Sequence, residues 1–413
     1  MFIGNNAGYT NSTGKYNVFL GFEAGKSNTA SNNTFLGYQA GMNTSSGANN
    51  VFLGSNAGST NTKGYQNVFL GKEAGKDHTE GNNNIFIGTQ AGLSFTKGYQ
   101  NILIGTRAGK KLKSDNENVT NAIIIGTDAA AYTEDNVRTS TIIGSFAAQH
   151  ATGVTSSVYI GHQAGEYNEY STGTNGSGYN NVYIGSQSGA NWKQGKYNVF
   201  IGSGAGSNKA GALGAPEVYG NGTGNVFMGY DAGYCLNTGS YNVFIGFNAG
   251  YSETNISNKL YISNSNTSTP LIWGDFSTKV VKVNGSQVST SDQRFKENIQ
   301  TLNGSLQKIT SIRGVSFTWK TNDEINKIKG IQTDSVDNSR LQEGTQLGVI
   351  AQEVEKVLPE LVYTDEGGFK SVDYIKLTPV LIEAMKEQQA IIDNQQKQID
   401  ELKRLVEQLM KKE

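Results

Sequence analysis

The sequence predicts a mainly β protein, in which a repetitive β-roll or β-solenoid shaft is followed by a small α+β domain and a C-terminal coiled coil. Three observations support this prediction. A short phrase recurs at nearly constant spacing over about the first 250 residues, the composition changes near residue 290, and the C-terminal residues carry a heptad pattern. A fixed short period indicates one structural unit stacked on itself.

The repeated phrase has a simple form. A typical copy is an Asn, three apolar residues and a Gly, followed after two variable residues by Ala-Gly; residues 17–25 are one example. Neighbouring copies mostly lie 16 to 18 residues apart. The glycines that close the apolar triplets are Gly4, Gly21, Gly37, Gly54, Gly71, Gly88, Gly105, Gly126, Gly144, Gly161, Gly185, Gly202, Gly229 and Gly246. Glycine permits tight turns and close backbone approach, so each unit is one short strand between turns.

Each apolar triplet is a strand with apolar side chains on both faces. We expect Val18 and Leu20 to point into the roll of their own chain, and Phe19 to point the other way. An outward aromatic side chain in every coil needs cover that a single thin solenoid does not provide. The repeat therefore predicts several chains wound side by side around a common axis.

The period lengthens in three places, at residues 110–121, 166–181 and 206–225. Insertions in a solenoid project as loops from one face, which is often the binding face. Aromatic residues that suit carbohydrate or protein contact lie in or near the last two insertions: Tyr167, Tyr170, Tyr179, Trp192 and Tyr219. Tolerated drift in loop length is the competing interpretation.

Composition and charge disfavour several classes of function. The net charge of the 413 residues is -1, which gives no electrostatic footprint for nucleic acid or an anionic membrane. The one cysteine, Cys235, allows no intrachain disulfide, and we interpret it as a space-filling residue. His78, His150 and His162 stand singly in different repeats, so no metal or cofactor site is expected. Since no run of 18 apolar residues occurs, no membrane insertion is expected.

The repeat ends near residue 263, and two different strands are predicted at 271–276 and 279–283. A polar stretch follows, after which Lys, Glu, Gln, Ile and Leu become commoner and Gly rarer. This change marks the main domain boundary. The predicted organisation is a shaft at 1–263, a β linker at 264–290, an α+β domain at 291–376 and a coiled-coil helix at 377–413.

The α+β domain is predicted in less detail. Asp292 is a helix cap, and we expect the helix to run to about residue 302. Residues 320–346 are polar and are predicted to form a long loop or surface insertion. The other predicted elements are a strand at 314–319, a helix at 351–358 ended by Pro359, and a strand at 369–374.

The tail carries a heptad seam over four repeats, with charged residues outside it. Its members are Leu381, Met385, Gln388, Ile392, Gln395, Ile399, Leu402, Val406 and Leu409. A single helix with such a stripe is poorly stable, so we expect the chain to oligomerise. Gln388 and Gln395 form polar layers that can fix register. We predict a trimer because the shaft also needs a common axis, although the seam alone allows a dimer.

One segment near the boundary carries candidate chemistry. On residue types alone, Ser291-Asp292-Gln293-Arg294-Phe295-Lys296 is an ordinary helix start with a solvated lysine. A five-residue separation places two side chains roughly 140° apart around one helix. Ser291 and Lys296 therefore meet only if Ser291 precedes the helix, on chain that bends back.

Several motifs in order strengthen that candidate. They are Ser291-Asp292-x-x-Phe295-Lys296-x-Asn298-Ile299, the segment 348–354, Tyr374 with Leu377-Thr378-Pro379, and the terminal heptads. Over about residues 289–410 the chain resembles the endosialidase-type intramolecular chaperone, which closes many phage tail fibres and spikes. The shaft is similar, less specifically, to the repeat heads of trimeric surface adhesins and to bacteroidete tail-fibre proteins.

The resemblance implies that the α+β domain is a chaperone that promotes trimerisation and then cleaves itself between Thr290 and Ser291. It also implies the roles in a Ser-Lys dyad, with Ser291 as nucleophile and Lys296 as general base. That chemistry is plausible because a lysine can act as a base once burial depresses its pKa. Asp292 is left as a cap outside the dyad. Whether Lys296 acts on its own chain or on a neighbour stays open.

These observations predict a homotrimeric tail fibre or spike of a virion that attaches to the host cell surface. The expected receptor is a carbohydrate or an outer-membrane protein, with no nucleic-acid partner. The alternative is a bacterial cell-surface trimeric adhesin or injection-system fibre of the same build. An enzyme acting on host polysaccharide is disfavoured, since the repeats lack paired acidic residues recurring at a cleft.

Overall fold

A computed structural model shows that the chain divides into two compact units, Met1–Gln287 and Val288–Glu413. The first unit contains the repeats, and the second contains the α+β region and the heptad stretch. The structure describes residues 1–112, 119–133, 137–151, 153–167, 178–208, 220–286, 290–330 and 343–411.

The first unit is a solenoid in which each coil adds one short strand beside the strand of the coil before. Strands β1 to β15 pair in parallel and in register, so that Phe19 pairs with Phe35 and Phe52 with Phe69. Strands β16 and β17 then continue the sheet antiparallel. The strands are β1 Phe2–Ile3, β2 Val18–Leu20, β3 Thr34–Leu36, β4 Val51–Leu53, β5 Val68–Leu70, β6 Ile85–Ile87, β7 Ile102–Ile104, β8 Ile123–Ile125, β9 Thr141–Ile143, β10 Val158–Ile160, β11 Val182–Ile184, β12 Val199–Ile201, β13 Val226–Met228, β14 Val243–Ile245, β15 Lys259–Ile262, β16 Ile272–Asp275 and β17 Val280–Val283. The predicted mainly β fold with a solenoid shaft and a small α+β region is confirmed.

The central residue of each strand lies inside the coil of its own chain. Phe52 is fully buried, whereas Val51 is half-buried and Leu53 is 39% exposed. The expectation that Val and Leu fill the roll while the aromatic side chain points out is therefore wrong. One flat ring, with Ala57 from the Ala-Gly turn beside it, fills the narrow coil. Rings of successive coils also stack, with the Phe52 and Phe69 centroids 4.7 Å apart, which suits offset aromatic packing.

Two glycines in most coils permit this stacking, although Ala130 and Ala148 replace the second one in two coils. Gly54 has a φ of +134°, and a Cβ built on it would lie 2.4 Å from the carbonyl oxygen of Gly71 in the next coil. Gly58 has a φ of +56°, and a Cβ there would lie 2.6 Å from the ring of Phe52. The first glycine allows the coils to approach each other, and the second allows the ring to lie against the backbone.

The Asn that begins most phrases connects neighbouring coils through its buried side chain; Ala122, Ser140 and Ser157 replace it in three coils. The backbone N–H of Asn67 donates to Asn50 Oδ1 at 2.9 Å, and Asn50 Nδ2 donates to the carbonyl oxygen of Gly64 at 2.8 Å. A buried polar group is tolerated when it is hydrogen-bonded. The repeated Asn is therefore explained by a ladder of hydrogen bonds along the shaft.

The second unit is small and mixed. Its strands are β18 Gly314–Phe317 paired antiparallel with β19 Gln346–Val349, and β20 Val362–Thr364 paired antiparallel with β21 Lys370–Val372. Its helices are α1 Ser305–Thr310, α2 Asn322–Lys329, α3 Ala351–Glu355 and α4 Leu377–Met410, with 3₁₀ turns at Gln293–Phe295 and Pro359–Leu361. The buried core is Val354, Leu358, Leu361 and Val380.

Two predictions for this unit are wrong. The helix expected from Asp292 to about residue 302 is only the 3₁₀ turn Gln293–Phe295, because Lys296 is extended and Asn298 has a φ of 53°. The polar stretch 320–346 contains helix α2, since Thr321 and Glu324 form a capping box at its start. Residues 331–342 of that stretch lie outside the described residues.

The heptad stretch lies on the single helix α4. Most apolar side chains of its seam are about half exposed or more in the single chain, for example Met385 at 70% and Leu409 at 67%. None of the helices in the described residues is long and apolar enough to cross a membrane.

The inserted segments are only partly described. Residues 113–118, 168–177 and 209–219, with Tyr170 and Tyr219 among them, lie outside the described residues. Trp192, which the sequence placed among candidate contact residues, is buried, and its Nε1 donates to the carbonyl oxygen of Gly222 at 3.0 Å. That candidate is wrong because the indole fills a coil interior. Tyr167 and Tyr179 lie at the surface.

The glycine column can be tested with Gly54→Ala. The added methyl group meets backbone that cannot move aside, at a φ that is essentially confined to glycine, so we expect a loss of at least about 3 kcal/mol in the free energy of unfolding. The matched control is Gly285→Ala, whose Cβ would make only an ordinary 3.5 Å contact with Leu271. Urea unfolding of the two variants measures the difference; equal stability would contradict the close approach of the coils.

Acid stability can be tested at His78, which is fully buried with Nδ1 3.1 Å from the carbonyl oxygen of Phe95. Burial lowers the pKa of His78 to about 4. The unfolded chain therefore binds a proton below about pH 6.5 that the folded chain does not bind until about pH 4. As the pH falls from about 6.5 to about 4, the free energy of unfolding should therefore decrease by roughly 3 kcal/mol because of His78.

The measurement compares urea unfolding at pH 7 and pH 4.5 in the native chain and in His78→Asn. Asn61 occupies the same place one coil earlier, so the fold accepts this residue type. We expect the variant to lose this part of the acid sensitivity. The exposed His162→Gln should keep it, and a variant at residue 78 as acid-sensitive as the native chain would contradict the assignment.

Candidate active site

The candidate dyad lies on a short bend at the start of the second unit. Asp292 is extended, with φ −63° and ψ 130°, and its Oδ1 accepts a hydrogen bond from the backbone N–H of Arg294 at 2.9 Å. The 3₁₀ turn Gln293–Phe295 follows, and Lys296 leaves it in extended conformation. This single turn reverses the chain between Ser291 and Lys296.

The bend brings the two predicted residues into contact. Lys296 Nζ donates a hydrogen bond to Ser291 Oγ at 2.7 Å. Ser291 lies before the helical turn, which is the condition that the spacing argument required. Thr290, whose carbonyl carbon would be attacked, directly precedes the serine, and all three residues are exposed.

In the described contact Lys296 is the hydrogen-bond donor, which is not the state in which a lysine acts as a general base. The lysine donates to the serine, whereas a base must be uncharged and accept the hydroxyl proton. Water solvates an exposed ammonium group, and exclusion of water favours the uncharged amine. The geometry therefore supplies the contact, and further burial has to supply the reactive protonation state.

Asp292 is occupied by a different partner. Arg294 Nη2 donates to Asp292 Oδ2 at 2.6 Å, and its Nε donates to the same carboxylate. The hydrogen bonds from Arg294 lower the pKa of the Asp292 carboxyl, with a smaller contribution from the Lys296 charge. Asp292 thus acts as a cap paired with arginine, apart from the Ser291–Lys296 contact.

The other motif residues hold the scaffold together. The Tyr374 hydroxyl accepts a hydrogen bond from the backbone N–H of Val349 at 3.2 Å, which connects β19 to the start of α4. Val354 is fully buried, and Val349 and Leu377 pack against the same core. The segment 348–354 and the residues around Tyr374 therefore have a structural role in the described chain.

The sequence analysis did not predict a further contact, which joins helix α4 to the start of helix α1. The Glu387 carboxylate on α4 accepts hydrogen bonds from the backbone N–H groups of Ser305 and Leu306, at 3.0 and 2.8 Å, at the start of α1. These bonds lower the pKa of the Glu387 carboxyl. The sequence carries no signal for this contact, because the partners are 82 residues apart and Glu387 looks like any charged residue of an amphipathic helix.

Among the described residues, no group of three or more His, Cys, Asp or Glu side chains is placed to hold a metal ion. His78, buried against Phe69, Phe86 and Phe95, is part of the shaft core. Cys235 is half-buried, and burial raises the pKa of its thiol.

Comparison with known families gives a match that covers this segment. Residues 291–363 match the family described as chaperone of endosialidase, and the match begins at Ser291. This part of the second unit is therefore similar to a chaperone-of-endosialidase domain. Domains of this family are self-cleaving chaperones, and the domain together with the β-solenoid shaft fits a tail fibre with a C-terminal chaperone. No curated protein shows significant similarity to the chain.

Proposed function

We propose that the chain is a homotrimeric tail fibre whose C-terminal unit drives assembly and is then released by cleavage between Thr290 and Ser291. The observation that carries the proposal is the 2.7 Å contact of Lys296 Nζ with Ser291 Oγ, at the first residue of the chaperone match. Because both groups belong to one chain, the contact favours a lysine that acts on its own serine.

The proposed reaction has two steps. Ser291 Oγ attacks the carbonyl carbon of Thr290 while the uncharged Lys296 amine takes the hydroxyl proton. The C–N bond breaks, the proton passes to the leaving Ser291 nitrogen, and an ester joins Thr290 to Ser291 Oγ. Water then hydrolyses the ester, which leaves a carboxylate on Thr290 and a free amino group and hydroxyl on Ser291.

Assembly is proposed to precede cleavage. The dyad is exposed in the single chain, and the base becomes competent only where water is excluded. The exposed apolar seam of α4 gives the copies a reason to associate. Cleavage would then take place only after the trimer has formed.

A repeat shaft benefits from such a clamp. Each coil offers nearly the same strand, so three shafts can align in many registers. Non-local pairing is slow and leaves strand edges open to aggregation. A C-terminal clamp fixes the alignment first, and its release leaves a shaft that is trapped kinetically in the folded state.

Attachment to a host surface is proposed from the architecture. One candidate contact region lies on the shaft at Tyr179, Lys196 and Tyr197, and Tyr179 belongs to the insertion predicted at residues 166–181. Lys196 Nζ lies 4.7 Å from the Tyr179 ring, and Tyr197 is 52% exposed. Exposed aromatic groups beside a cation suit a carbohydrate or a protein receptor. A bacterial surface adhesin or injection-system fibre is the alternative, and the genes beside this one distinguish the two.

Self-cleavage is tested by expressing the full chain. We expect fragments of residues 1–290 and 291–413, with Ser291 at the start of the smaller one. Ser291→Ala should remain intact because it lacks the nucleophile, and Lys296→Ala should remain intact because it lacks the base. Intact-mass measurement and N-terminal sequencing read the result. The controls Ser289→Ala and Lys320→Ala should be cut like the native chain. Cleavage of the Ser291→Ala chain, or cleavage at another peptide bond, would contradict the proposed roles of Ser291 and Lys296.

Assembly is tested on the uncleaved Ser291→Ala chain by light scattering. We expect three times the mass of one chain. Adding Ile399→Asp places a charge in the α4 seam, and the uniform three-chain mass should be lost, because the seam is proposed to align the copies before the shafts meet. Lys397→Asp changes charge on the same helix outside the seam and should keep the trimer. A single-chain mass for Ser291→Ala itself would contradict the assembly.

A further inference from the structure

The solenoid has one side that is apolar along its length. Side chains alternate between the faces of a strand, so the first and third residues of each strand point away from the buried centre. We name the first and third residues of β2 to β14 the strand-face stripe. Every member is Val, Leu, Ile or Met except Thr34 and Thr141, and none is charged. All of them are half-buried or exposed.

The third residue is the more exposed of the two in β2, β4, β13 and β14, whereas in β8 the first residue, Ile123, is the more exposed one. Leu20 and Met228 are each 40% exposed and Leu53 is 39% exposed. The glycine that follows, such as Gly54, has no side chain to cover its neighbour. A partner surface can therefore approach this row closely.

The size of the stripe indicates an interface. Thirteen strands spaced about 4.8 Å apart give a length of about 60 Å, and two side-chain rows give a width of about 10 Å. The result, roughly 600 Å2, lies at the upper limit of the largest apolar patches found on monomeric proteins. Charged residues of the shaft lie elsewhere, as in the Glu23–Lys26 and Arg107–Asp128 ion pairs.

We propose that the strand-face stripe is where three copies of the shaft contact one another, parallel and in register. This inference rests on the proposed trimer and names its surface. Backbone groups of the strands are used within the sheet, so the stripe offers apolar side chains at a fixed 4.8 Å repeat. The surface that matches this length, repeat and lack of charge is the same stripe on another copy.

The stripe also explains why register must come from outside the shaft. A shift by one coil places Val, Leu or Ile against Val, Leu or Ile almost everywhere. Only Thr34, Thr141 and Met228 interrupt the pattern. Contacts between shafts are therefore strong in total and weak in register, which is the property that a removable clamp corrects.

The test places one cysteine on the stripe of the Ser291→Ala, Cys235→Ser chain. Leu53→Cys and, in parallel, Val51→Cys bring thiols of neighbouring copies together. Mild oxidation should link about two of every three chains into covalent pairs, since disulfides need Cα atoms within about 7 Å. The control is Lys63→Cys, whose parent side chain is 68% exposed in a turn, and it should stay unlinked. A non-reducing gel reads the result.

The outcomes separate the two proposals. A three-chain mass by light scattering with linked stripe cysteines supports the surface. A three-chain mass in which neither stripe cysteine is linked overturns the surface and leaves the trimer intact. A single-chain mass overturns both. If linking occurs only at Lys63→Cys, another side of the shaft is the interface and the proposal fails.

Discussion

The shaft is governed by the fixed distance between successive coils. Backbone bonds such as Val51 N–H to Asn67 O and Gly58 N–H to Ala74 O, both 2.9 Å, hold each coil on the next. That spacing matches offset stacking of the Phe rings and leaves no room for a Cβ at Gly54. The aromatic column, the Asn ladder and the glycine column are three consequences of one spacing. Variation inside the coil is limited to buried replacements, with Leu103, Ile124 and Ile142 in place of the ring and Ser140 and Ser157 in place of the Asn.

The two units differ in how well their contacts distinguish one register of neighbouring chains from another. Contacts in the shaft recur in every coil, and a shift by one coil replaces each contact by an equivalent one. Contacts in the second unit are single, such as Glu387 with the start of α1 and Tyr374 with Val349. The seam positions Gln388 and Gln395 also distinguish one alignment from the others. A polar layer buried against an apolar one is unfavourable, so each Gln layer is best placed against the same layer of another copy. A clamp built from such contacts can specify what the repeats leave open.

The sequence predicts the repeat and the strand positions, because periodicity is local, and its motif points to Ser291 and Lys296, which the structure brings into contact. It does not predict which face of a three-residue strand is buried, since Val-Phe-Leu is apolar on both faces. The buried face is determined by packing, because one aromatic ring fills the interior of the coil. The helix after Asp292 fails because a cap does not ensure propagation when Lys296 is extended and Asn298 is left-handed. The Ser291–Lys296 contact depends on that early end of the helix, and Glu387 pairs over a distance in sequence that no local pattern spans.

The hairpin that follows β15 has a consequence for the edge of the solenoid sheet. Strands β16 and β17 run antiparallel after β15, so the direction of the ladder reverses at this point. An exposed sheet edge is a template to which a strand of another molecule can add, and this leads to edge-to-edge aggregation. The last strand here is four residues long and carries Lys282, with its ammonium 4.9 Å from the ring of Trp273. Short length, reversed direction and a cation together make this edge of the sheet a poor template for a further strand.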